Sequence, residues 1–133
     1  MLSFSKGTNY SILVLDYLSS LPENVVKSNA EIAEILGLPV DFLSKILQKL
    51  THSGLVRSIK GTNGGYALAE NIKNISLKQI IDSVEGPSHF VNDLKNSLVD
   101  YGRSGNSKKS IELMKKFESE LNYLMERIDF IKN

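Results

Sequence analysis

Apolar residues along the chain follow two rhythms. Three- and four-residue spacing runs from Tyr10 to Leu50 and returns after Ser76, while a two-residue alternation occupies the stretch between Leu55 and Leu68. The first is the period of a helix that buries one stripe, the second that of a strand that buries one face. Tyr10, Leu13, Val14, Tyr17, Leu18 and Leu21 predict a buried stripe on a helix from about Ser5 to Ser20, capped by Ser5 and ended by Pro22 and Asn24. Ser28-x-x-Glu31 reads as a capping box, with the serine oxygen accepting a free amide and the glutamate reaching back to the serine amide. The helix it opens carries Ala30, Ile32, Ala33, Ile35 and Leu36 and stops at Gly37, a residue suited to the left-handed conformation. Pro39 fits the first turn of a third helix, whose apolar face is Phe42, Leu43, Ile46, Leu47 and Leu50. Asp41, Ser44, Lys45, Gln48 and Lys49 point elsewhere, and Gly54 ends it.

Two amphipathic helices joined by a short glycine turn form a helix-turn-helix pattern, and equally a plain helical hairpin of a bundle. The segment after Gly54 favours the former. Leu55-Val56-Arg57-Ser58-Ile59 alternates as a half-buried strand, Asn63-Gly64 suits a tight turn, and Tyr66 and Leu68 alternate on the way back. Ser76-x-x-Gln79 caps a fourth helix holding Leu77, Ile80, Ile81 and Val84, which Gly86-Pro87 breaks. A short helix from about Phe90 to Tyr101 and a loop at Gly102-Arg103-Ser104-Gly105-Asn106-Ser107 come next. A long helix is predicted from about Lys108 to Phe130. Met114, Phe117, Leu121, Leu124, Ile128 and Ile131 form a seam that favours lengthwise packing on another helix, either a second chain's or one in its own domain.

Charge sharpens this picture. Net charge is only +1, yet no acidic residue falls between Phe42 and Ala69, where Lys45, Lys49, His52, Arg57 and Lys60 lie. A helix followed by a basic hairpin suits a phosphate backbone. With 133 residues, 41% hydrophobic and 23% charged, the chain can build one core plus an extra element. It contains no cysteine, which excludes disulfides, thiolate catalysis and thiolate-ligated clusters. No signal-peptide pattern and no apolar run near the roughly 20 residues of a membrane span is present, so a soluble, cytoplasmic protein without membrane contact is expected. The glycines between Gly61 and Gly65 lie within a hairpin, not between a strand and a helix. A nucleotide-binding loop is therefore not expected, and with two histidines, no cysteine and no spaced carboxylate pair neither is an enzyme.

Taken in order, the motifs resemble the Rrf2 family of bacterial winged-helix transcription regulators. They are Ser5-Lys6-Gly7 before Tyr10, Glu31-Ile32-Ala33, Phe42-Leu43-x-x-Ile46-Leu47-x-x-Leu50, Gly54-Leu55-Val56-Arg57-Ser58, Gly64-Gly65-Tyr66-x-Leu68 and Ile75-Ser76-Leu77-x-x-Ile80-Ile81-x-x-Val84-Glu85-Gly86. The likeness covers residues 2 to about 87 in sequence and the remainder in layout. It implies a mainly α fold with a small β-hairpin wing. Residues 1–86 would be a winged helix-turn-helix DNA-binding domain, 87–107 a variable sensor-like segment and 108–133 a dimerisation helix. The helix near Pro39 would enter the major groove and the hairpin would be the wing, with Lys60 at a basic tip position. Thr62 and Asn63 stand where the family often has proline and glycine, and Leu38-Pro39 where it often has a serine cap. Iron–sulfur members carry cysteines in the segment aligned with Ser88 to Ser107. This chain has none, so no cluster, thiol switch or other cofactor is expected. His89 and Asp93 would share a helix face, but two ligands do not close a metal site.

The expected function is sequence-specific binding of double-stranded DNA by a homodimer on a roughly palindromic operator, with repression as the family's habit. Lys6, Lys49, Arg57 and Lys60 are candidates for phosphate or wing contacts, with Thr62 and Asn63 at the wing tip. Asp41, Ser44, Lys45 and Gln48 are candidates for base edges, because lysine donates to guanine, glutamine pairs with adenine and aspartate accepts from cytosine. The same polar residues could also simply solvate an exposed helix. The seam residues of the last helix would form the dimer. Two alternatives stay open: a winged-helix module that binds protein, and a regulator that answers to a small metabolite or a partner protein with no metal centre.

Overall fold

The computed structural model describes residues 4–70, 72, 74–86 and 108–132. The elements are α1 (Lys6–Ser19), α2 (Asn29–Leu36), α3 (Val40–His52), β1 (Val56–Ile59), β2 (Gly65–Leu68), β3 (Asn74–Ser76), α4 (Leu77–Glu85), α5 (Lys108–Arg127) and β4 (Asp129–Lys132). The described residues are thus mainly helical, with a small antiparallel hairpin as the wing. No described helix is long and apolar enough to cross a membrane. The expected helix at Phe90–Tyr101, the Gly102–Ser107 loop, His89 and Asp93 lie outside the described residues.

The core is built by the first three helices, the root of the hairpin and α4. Val14, Leu15, Leu18, Ile32, Leu43, Leu47, Leu50, Val56, Ile75 and Ile80 are buried in one cluster. The buried stripe of α1 keeps Val14 and Leu18, with Tyr10, Tyr17 and Leu21 packed beside them, but takes Leu15 in place of Leu13. Leu15 is fully buried while Leu13 is 46% exposed. These two positions lie nearly opposite on a helix. The inward face continues through Thr8 and Ser11, both buried. Polar residues can occupy it because each is satisfied: Thr8 Oγ1 donates to Glu85 Oε1 at 3.1 Å, and Ser11 Oγ to the Gly7 carbonyl at 2.7 Å. The apolar stripe therefore sets the inward face of α1 correctly at Tyr10, Val14, Tyr17, Leu18 and Leu21, and misplaces only Leu13.

Caps set most element boundaries. Ser5 accepts from the Thr8 amide, and Ser28 from the Glu31 amide. At α4 the box is complete, with Ser76 N donating to Gln79 Oε1 at 2.8 Å and Gln79 N to Ser76 Oγ at 3.2 Å. At α2 only half of the expected box forms. Glu31 accepts from the Ser28 hydroxyl and lies 3.6 Å from Lys27 Nζ, so its carboxylate is drawn to a neighbouring cation rather than to the serine amide. Pro39 stands at the N-cap of α3, just outside its first turn, and makes no side-chain cap.

The hairpin pairs Val56 with Leu68 and Ile59 with Gly65. A third segment joins it, because Lys27 N donates to Tyr66 O and Tyr66 N to Lys27 O, at 3.1 and 2.7 Å. Gly65 permits this approach: a Cβ there would stand 2.4 Å from the Lys27 carbonyl oxygen.

The chain's last element departs from expectation. The helix stops at Arg127 rather than Phe130, and residues 129–132 form a strand against β3, pairing Ile131 with Ile75. Ile128 sits at the junction, its carbonyl accepting from Leu77 N at 2.9 Å. The open backbone groups of β3 take up those of residues 129–132 as a strand partner. The seam therefore cannot run through Ile131 as one helix face. Met125 is buried, Leu121 half-buried, and α5 packs on α4 and β3 of its own domain. Phe117, Leu124 and Ile128 are still 39%, 52% and 43% exposed. Of Met114 and Ile131 only the backbone is described.

Candidate nucleic-acid interface

The turn between α2 and α3 is short because Gly37 adopts φ 66° and Leu38 N reaches back to Ala33 O at 3.0 Å. It leaves α3 lying across the domain with Leu43, Ile46, Leu47 and Leu50 buried. At 100° per residue the direction opposite that stripe is taken by Asp41, Lys45, Gln48 and His52, all exposed. Among the described residues, the side chains of Asp41, Lys45 and Gln48 make no hydrogen bond or ion pair. His52 completes the face and joins the candidates for base contact. Its signal is present in the sequence, since Asp41, Lys45, Gln48 and His52 recur every three or four residues.

The flanks of α3 are committed inward. On one side Ser44 Oγ donates to Val40 O at 3.0 Å and accepts from Asn29 Nδ2, tying α3 to α2. On the other, Lys49 Nζ donates to Val84 O at 3.0 Å, and Phe42 packs edge-on against Tyr10 with centroids 5.3 Å apart. Ser44 and Lys49, expected to face a duplex, already hold neighbouring helices.

The wing divides in the same way. At its tip Lys60, Thr62 and Asn63 are exposed around a turn closed by Gly64 N donating to Gly61 O at 3.0 Å. At its base Arg57 is half-buried, donates from Nε to Leu68 O at 3.3 Å and has one guanidinium nitrogen 3.8 Å from Glu70. Arg57 therefore grips the hairpin's root. Lys6 is exposed in the first turn of α1, where a cation opposes the helix dipole. Among the described residues Lys6, Lys45 and Lys60 enter no ion pair.

Comparison with known proteins places this geometry. Residues 4–130 match the Rrf2 family model, described as an iron-dependent transcriptional regulator. YffB of Lactococcus lactis, named as an HTH-type transcriptional regulator, is 35% identical over 85 residues, 64% of this chain. The match spans about half, 54%, of that relative's length. Among solved structures, IscR of T. potens aligns with a TM-score of 0.70 at 24% identity, covering 97% of this chain and 83% of that one. CymR of B. subtilis, titled the global cysteine regulator, aligns at 0.68 and 21% identity, covering 98% and 94%. At such identities the structures speak for the fold.

The family description raises the question of iron. The chain has no cysteine, so it offers a cluster no thiolate. Among the described residues no three His, Asp or Glu side chains stand close enough to hold a metal ion. The donor set available there does not fit an iron centre.

Proposed function

We propose that this chain, which belongs to the Rrf2 family, is a sequence-specific DNA-binding transcriptional regulator that works in the cytoplasm without catalysis. One observation carries the reading: the outward face of α3 holds polar side chains with no described intramolecular partner, whereas Ser44 and Lys49 beside it are engaged. A face of lysine, glutamine and aspartate is suited to base edges, which present both donors and acceptors in the major groove. An apolar face would have favoured a protein partner instead.

On this reading Asp41, Lys45, Gln48 and His52 meet the bases. Lys6 and Lys60 meet phosphates, and Thr62 and Asn63 sit with Lys60 along the minor groove. Ser44, Lys49 and Arg57 hold α3 and the wing at the angles this requires. Two copies act together and repress from a roughly palindromic operator. The exposed Phe117, Leu124 and Ile128 support the pairing, because α5 buries Met125 in its own domain and still presents an apolar edge.

Selection of duplex sites from genomic fragments with the purified chain tests this. The expected outcome is an enriched, inverted-repeat sequence. Weak binding without sequence preference at every salt concentration would favour a module that recognises protein.

A further inference from the structure

Away from the outward face of α3 and the wing tip, a cavity of about 420 Å³ opens between the end of α1, the turn after it and the base of the hairpin. That volume is in the range of small-molecule sites. Its aliphatic wall includes Leu18, Leu21, Pro22, Leu68 and Ile72. Among the described residues the Arg57 side chain, 29% exposed, is the one cationic group on this lining. A guanidinium carries five N–H donors. Here Nε serves the Leu68 carbonyl, and the nearest carboxylate, Glu70, stands at 3.8 Å, beyond hydrogen-bond reach. Glu70 is itself 76% exposed, so water competes for it.

A half-buried planar fork with unused donors, on a lining it shares with aliphatic and polar side chains, matches a carboxylate on a short hydrocarbon body. We propose that this cavity binds a small aliphatic monocarboxylate, which takes Arg57 in place of Glu70. The two acids on the lining, Glu23 and Glu70, repel any anion and so favour a single carboxylate matched to Arg57 over polyanions such as nucleotides or phosphorylated sugars. Bound there, the ligand bridges the end of α1 and the root of both wing strands, three residues from Lys60. Its control of DNA affinity rests on the DNA-binding reading above; its binding does not.

The test uses the full chain without DNA. Isocaproate is titrated while backbone amide NMR shifts are followed, with isocaproamide as the uncharged analogue of the same shape. The expected result is saturable shifts at Leu18, Val25, Leu68 and Ile72 with isocaproate, and binding weaker by about tenfold or more with isocaproamide and with Arg57→Gln. Glu70→Gln, which removes the competing carboxylate, should bind isocaproate more tightly and keeps the test decisive if Arg57→Gln does not fold. Shifts that are absent at millimolar isocaproate, equal for the amide, or unchanged in Glu70→Gln overturn the proposal. A second titration with operator DNA separates the two readings. Isocaproate binding without sequence-specific DNA binding sinks the regulator reading alone, and DNA binding with no isocaproate site sinks this one alone.

Discussion

Lys49 Nζ lies 3.0 Å from the Val84 carbonyl oxygen, so the helix that faces outward is fastened to the last turn of α4. Val84 is the next-to-last residue of that helix, where carbonyls lack helical partners and the dipole attracts cations. Lys49→Met should therefore cost about 1 kcal/mol in urea unfolding. The salt dependence of DNA binding should keep its slope. A slope smaller by about one with stability intact would return Lys49 to the phosphate contacts.

Lys45 and Lys60 should separate cleanly in binding assays. Lys45→Ala is expected to relax base preference at one position of each half-site, with about 1–3 kcal/mol of discrimination lost. Lys60→Ala should weaken all sequences alike and reduce the salt slope by about one. Site selection with each variant, repeated at two salt concentrations, reads both effects.

Gly65 is expected to tolerate no side chain. A Cβ would fall 2.4 Å from Lys27 O and 2.5 Å from its carbonyl carbon, both backbone atoms that cannot swing away. Gly65→Ala should cost more than about 2 kcal/mol by separating the Lys27 segment from the hairpin. Gly54→Ala has φ 79° but open space, and should cost about 1–2 kcal/mol. Thermal melts of the two variants rank them.

Ending the chain after Ile128 removes β4 and leaves β3 without its partner. Hydrogen exchange at the backbone of Asn74–Ser76 should accelerate strongly, and the melting temperature should fall by a few degrees. Unchanged protection at Ile75 would show that this pairing contributes nothing.

The exposed edge of α5 predicts concentration-dependent assembly. Phe117→Glu with Leu124→Glu should shift sedimentation from two copies to one, while the circular dichroism of the domain stays the same. A single subunit already present in the unaltered chain at micromolar concentration would dismiss the pairing.

Much of this was legible in the letters. Ser5, Ser28 and Ser76 mark helix starts, Gly37 and Gly54 mark ends, and the alternation from Leu55 to Leu68 marks the wing, because caps and periodicity are local physics. The acid-free run from Phe42 to Ala69 marked out Lys45 and Lys60, which stay exposed without an ion pair among the described residues. The extension of the α1 inward face through Thr8 was not legible, since burying Thr8 depends on Glu85, seventy-seven positions away. Nor was the engagement of Lys49 or Arg57, whose partners are backbone carbonyls that no sequence pattern distinguishes.

The sequence alone determined the first four helices, the two hairpin strands and that no thiolate chemistry is available, because these depend on residue type and near neighbours. Tertiary structure decided which of the polar residues remain unpartnered, and that the final residues leave the helix to pair with β3. Both outcomes depend on donors and acceptors brought together from distant parts of the chain, and buried or paired groups are chosen by that proximity rather than by their own identity.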